Sequence, residues 1–230
     1  MTDANPGTRL AGVLLLISFA AMVAGAAVAA PSGLTLNPTD PLAALTAVHD
    51  QVGLHMTELA LDVLGWLALT SAGLVIAGGR GHLALTTAGL DAAGRRGRLA
   101  VLAGGLLAAA GLAGLLHDAG NLAVTRLAAE PSAASAEVAA PAMLTAKWGV
   151  NLAGLLWVAA TVATTAGLLA PRWFRLAGVV AAVSGFAAVV LPWTTGTAGF
   201  PPELERIGYA LHLPVMLWYA VLGWWLLRFR

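Results

Sequence analysis

Six separate runs of about 20 apolar residues limit what this chain can become more than any other feature. They fall at residues 10–30, 56–77, 99–119, 148–170, 173–192 and 207–227. A helix rising 1.5 Å per residue needs about 20 residues to cross roughly 30 Å of hydrocarbon. Backbone in hydrocarbon must also satisfy its own hydrogen bonds, which leaves helices as the spanning elements for runs of this length. The sequence therefore predicts an all-α, polytopic membrane protein, with residues 1–230 forming one bundle of six transmembrane helices. Composition agrees, since 59% of the 230 residues are hydrophobic and 10% are charged, against about 25% charged in a soluble domain.

The lipid bilayer is thus the first expected partner. A formal net charge of +1 gives no reason to expect nucleic acid. The absence of cysteine excludes disulfides, thiol catalysis and Cys-ligated zinc or iron–sulfur centres. The 27 glycines suit helices that approach one another through small residues, and Gly111 and Gly114 are expected to bring the third span close to its neighbours.

The first run has a rival reading as a signal peptide, because Ala27-Val28-Ala29 resembles a cleavage site after a short polar start with Arg9. Its apolar length exceeds the usual 7–15 residues of a signal core, which favours a retained helix. Basic residues then alternate between sides. Arg9, Arg80, Arg95, Arg96, Arg98, Arg172, Arg175, Arg228 and Arg230 share one side, and Arg126, Lys147 and Arg206 fall on the other. The positive-inside bias makes the first side cytoplasmic and places both termini there. Residues 78–98 read as the main cytoplasmic loop, with Gly78-Gly79-Arg80-Gly81 as a helix exit. Residues 128–142 (AAEPSAASAEVAAPA) read as a mobile outer loop, and residues 41–51 as an outer extension of the second span.

Several spans carry ionisable groups. His55, Glu58 and Asp62 stand at i, i+3 and i+7, so they share one face of the second span, between Gln51 and Trp66. Carboxylates within a bilayer face a protein interior or a water-filled cavity. His117, Asp118 and Asn121 close the third span, Asn151 opens the fourth after Lys147 and Trp148, and His212 lies early in the sixth before Pro214. The topology brings these groups to a similar depth near the outer interface. His55, Glu58, Asp62, His117, Asp118, Asn121, Asn151 and His212 are accordingly expected to bind a small ligand, ion or lipid headgroup in an outward-facing polar cavity. A plainer reading competes: Trp148, Trp193 and Tyr209 suit an interfacial belt, His117-Asp118 could simply end a helix, and His212 could bond a neighbouring carbonyl.

Two other chemistries use the same residues. Glu58, Asp62, His117 and His212 could hold a divalent metal that activates water for hydrolysis, although no paired HExxH motif is present. His117 and His212 could alternatively ligate a b-type haem in a structural or haem-binding subunit. The stretches Arg9-Leu10-Ala11-Gly12-Val13-Leu14, Leu169-Ala170-Pro171-Arg172-Trp173, Leu213-Pro214 and Gly223-Trp224 resemble a widespread bacterial family of six-helix membrane proteins of unknown function. That resemblance implies six helices in a bacterial inner (plasma) membrane, and it implies no activity.

Overall fold

The structure, a computed structural model, describes residues 6–32, 34, 36–79, 90–198 and 202–228. Seven α-helices and no strand occur among them. They are α1 (Pro6–Ala29), α2 (Pro41–Asp50), α3 (Val52–Gly78), α4 (Leu90–Leu127), α5 (Ala133–Gly167), α6 (Arg172–Val190) and α7 (Pro202–Arg228). All but the short α2 are long and apolar enough to cross a membrane. A 3-10 segment, Leu191–Ala198, continues α6. The expected Arg80 loop residues, Pro201 and Arg230 lie outside the described residues.

The six long helices form a closed ring in the order α1, α3, α4, α5, α6, α7, with α7 packed back on α1. Glycine makes these crossings tight. A Cβ on Gly73 would sit 2.4 Å from the Ala108 nitrogen, and one on Gly104 would sit 2.5 Å from the Ala77 nitrogen. Gly12 of α1 and Gly223 of α7 are equally reciprocal, each facing the other's carbonyl oxygen at 2.7 and 2.9 Å from the position of a Cβ. Such close backbone approach is how helices associate in lipid, where apolar side chains gain nothing by leaving hydrocarbon for one another.

Large apolar side chains such as Leu74, Leu112, Leu116, Val180, Val183 and Trp224 point outward. The interior holds small residues, leucines such as Leu15, Leu69 and Leu107, and a run of aromatic rings, Trp66, Trp157, Tyr219, Trp218 and Phe174, with successive centroids 5.0–5.9 Å apart. An exposed belt of this extent is matched to lipid rather than water. Pro214 lies within α7 and deprives that helix of a donor. Beside it, the Leu211 carbonyl accepts a 2.7 Å bond from the Ser184 hydroxyl of α6.

Two expectations are corrected at the α2 end of the bundle. Much of the anticipated loop at residues 128–142 is helix, because α5 starts at Ala133 and runs for 35 residues, roughly 52 Å. Ser132 and Ser135 form a reciprocal capping box there, and the following residues are alanine-rich, hence strong helix formers. Ala136, Ala139 and Met143, at i, i+3 and i+7, bury against Leu45 and Val48 of α2 and Val124 of α4. The anticipated extension of α3 is also a separate helix. Asp40 caps its start, Pro41 takes the first turn, and the chain breaks at Gln51. The result is a second small core, in which His49 Nδ1 donates to the Ala128 carbonyl at 2.9 Å. At the opposite end, Arg95 and Arg98 project from the first turns of α4, not from a loop.

The neighbouring glycines of α4 give a direct test. Gly104→Ala should destabilise the protein by about 1–3 kcal/mol, since its Cβ meets backbone that cannot yield. Gly105→Ala, which meets nothing within 4 Å, should be neutral or stabilising by up to about 1 kcal/mol. Thermal unfolding of the two variants in detergent checks it, and equal effects would show that the α3–α4 crossing is looser than described.

Candidate functional site

The seam between α3 and α4 runs antiparallel in a regular register. Gly73 meets Ala108, Thr70 meets Gly111, and the Trp66 ring packs directly against Gly114, where a Cβ would be 2.1 Å from it. One turn further, the same register brings Asp62 of α3 against His117 and Asp118 of α4. One ligand atom from each of these three lies within 4.8 Å of the other two. α1 supplies the third wall through Gly25, where a Cβ would stand 3.8 Å from Asp62 Oδ1. Trp66, one turn below Asp62, closes the site toward the middle of the membrane with the Trp157 edge behind it.

Asp118 is the unusual member. It is 1% exposed, beside the 73% exposed Leu116. Both its carboxylate oxygens are buried without a hydrogen-bond partner among the described residues. Glu58, half-buried one turn above Asp62, lies near enough to act electrostatically on Asp62, His117 and Asp118. Three carboxyl groups thus gather around His117, with the His55 imidazole at Glu58 on the upper edge.

His117 is oriented from outside the cluster. Its Nδ1 contacts the Ala146 carbonyl of α5 at 2.8 Å. A carbonyl only accepts, so Nδ1 carries the proton and Nε2 presents its lone pair. The Asn121 amide, one turn on, donates to that lone pair at 3.1 Å. Nearby, Lys147 of α5 pairs with Glu205 of α7, and Tyr209 donates to the same Glu205 oxygen at 3.0 Å. Lys147 is the chain's one lysine and stands just ahead of Trp148. A lone lysine at a membrane boundary is itself a sequence signal for a partner carboxylate.

The remaining sequence candidates divide. His55 is fully buried, with Nδ1 3.5 Å from Glu58 Oε2, so it joins the upper edge of the carboxylate group. Asn151 is engaged elsewhere: its amide donates to the Val189 carbonyl at 2.9 Å and its oxygen accepts from the Trp193 indole at 3.0 Å. His212 packs on the Trp157 ring and against Gly154. His117 instead approaches Gly149. Five helical residues separate Gly149 from Gly154, about 140° around α5 and about 7.5 Å along it. The two histidines therefore approach α5 from different sides, and Asp118 takes the place that sequence reasoning had given to His212. Two surface depressions lie away from the cluster, one along α2 from Asp40 to Gln51 and one around Arg175 and Trp225.

The architecture defines a class: a multi-pass, all-α membrane protein with an acidic cluster inside one end of its bundle. No family model matches the chain, and neither the curated proteins nor the solved structures compared with it contain a match.

The unsatisfied Asp118 oxygens should have a measurable cost. Asp118→Leu, close in size and without polar atoms, is expected to stabilise the ligand-free protein by about 1–3 kcal/mol. Thermal unfolding in detergent reads this out, and a lower midpoint would mean that the carboxylate is already satisfied.

Proposed function

We propose that this protein resides in a bacterial inner membrane with both termini in the cytoplasm and binds a small cationic ligand or ion between α1, α3 and α4. The observation that carries the reading is the buried Asp118 carboxylate, turned toward Asp62 and His117 with no hydrogen-bond partner among the described residues. A buried carboxylate is costly in a bilayer, and intramembrane ionisable groups mark ligand or ion sites. Charge balance favours a cation over a neutral or anionic ligand. Glu58, Asp62 and Asp118 face the cluster, and the nearby Lys147 charge is matched by Glu205. Among lipid headgroups, only the positively charged part of one would suit this site. The orientation rests on nine of twelve basic residues falling on one side, which puts the acidic cluster in the outer half of the membrane.

Because the chain has no cysteine, single cysteines report orientation cleanly. With an impermeant thiol reagent on intact cells, Ala134→Cys should label and Arg95→Cys should not; the reverse pattern would invert the assignment. For binding, purified protein is heated with sodium, calcium, manganese, zinc or tetramethylammonium chloride. At saturation, at least one cation should raise the unfolding midpoint by about 5–10 °C in the native protein and leave Asp118→Asn unmoved. Failure of all five, or an equal rise in the variant, would end the cation-binding proposal.

A further inference from the structure

The make-up of the cluster narrows the cation, an inference that rests on the binding reading above. We propose that Asp62, His117 and Asp118 form a site for a divalent transition-metal ion of the zinc, cobalt and manganese class, with His117 ligating through Nε2. The donor set is two carboxylates and one imidazole. Imidazole suits first-row transition metals, whereas magnesium and calcium favour shells of oxygen alone, and copper(I) favours sulfur. Within the donor set, two carboxylates, a neutral imidazole and a divalent ion sum to no net charge; Glu58 stands outside that set, with His55 Nδ1 3.5 Å from its Oε2. That balance suits a site whose central carboxylate is 1% exposed. A monovalent ion would leave one buried negative charge.

The geometry is that of an assembled site rather than a chance grouping of acids. His117 Nδ1 is held by the Ala146 carbonyl at 2.8 Å, the outer contact that fixes the tautomer and aim of a metal-ligating histidine. Asp118, with both oxygens buried and unbonded among the described residues, is the ligand-seeking group at the centre. One ligand atom from each of Asp62, His117 and Asp118 lies within 4.8 Å of the other two. A tetrahedral shell with bonds of about 2.1 Å has edges of about 3.4 Å, so the donor atoms need close on one another by at most about 1.4 Å. Asp62 and His117 are half-buried, which leaves them freer to adjust than Asp118. Three protein donors also leave at least one coordination position for water, as in exchangeable and catalytic sites and unlike closed structural ones.

One contact reverses the usual sense of a nearby mutation. The Asn121 amide occupies the His117 Nε2 lone pair at 3.1 Å and must yield it to the metal. Asn121→Ala should therefore tighten metal binding, whereas a residue that merely supports the fold would weaken it.

The test is titration of chelator-treated protein in detergent with Co²⁺, followed by its visible absorption, with zinc content measured after loading. One metal per chain is expected. Affinity should fall by more than about 100-fold in Asp118→Asn and in His117→Gln, beyond what loss of an outer contact costs. It should rise several-fold in Asn121→Ala and stay unchanged in His212→Gln. Asn121→Ala and His212→Gln keep the proposal falsifiable if either ligand variant does not fold. Absence of Co²⁺ binding, equal affinity in the ligand variants, or weakening in Asn121→Ala would overturn the metal assignment. If metal does not bind but tetramethylammonium or sodium still stabilises the native protein and not Asp118→Asn, the cation reading survives and the metal assignment falls. If no cation acts, both fall.

Discussion

The close approach of α3 and α4 is the constraint on which the rest of this molecule depends. Small residues at Gly73, Gly104, Ala108, Gly111 and Gly114 let the two backbones meet in an antiparallel register. The interval of three or four residues per contact carries straight on to Asp62 and Asp118. Helix packing in lipid gains stability from such backbone proximity, because apolar side chains are as well solvated by lipid as by each other. The acidic cluster is therefore a continuation of the packing seam, and the glycines that hold the helices together also set the separation of its carboxylates.

That arrangement places opposing demands on one end of the bundle. Burial of Asp118 and half-burial of Glu58 and Asp62 oppose folding, while the second core of α2, α4 and α5 supports it. The second core lies where α4 and α5 outrun the roughly 30 Å a membrane requires, at 38 and 35 residues. It fixes α5 against α4 close to the point where Ala146 holds the His117 ring. The small helical layer thus positions the cluster, although none of its own residues enters it. The Lys147–Glu205 pair links α5 to α7 across the ring at the same level.

The sequence by itself determined the class and the span count. Apolar run length against bilayer thickness allows few alternatives, and all six runs became helices of the bundle. It also placed His55, Glu58 and Asp62 on one face, since helical periodicity is local, and pointed to Gly111 and Gly114 as contact points. It misjudged residues 128–142 because alanine, serine and proline read as a loop when no partner surface is in view. Only with α2 present do Ala136, Ala139 and Met143 become a buried stripe.

The membership of the cluster was a tertiary decision. In sequence, His117-Asp118 is an adjacent pair near the end of an apolar run, and His212 has as good a claim to Asp62 as either. What separates them is the angular position of each helix about α5 and the order of helices around the ring. Both depend on which small residues meet across a seam, a property of two segments together that neither carries alone. Ring closure turned Asp118 inward and left Leu116 to the lipid, directed Asn151 to the end of α6, and set His212 against Trp157. Periodicity could place each polar group on a helix face, but packing decided which faces met.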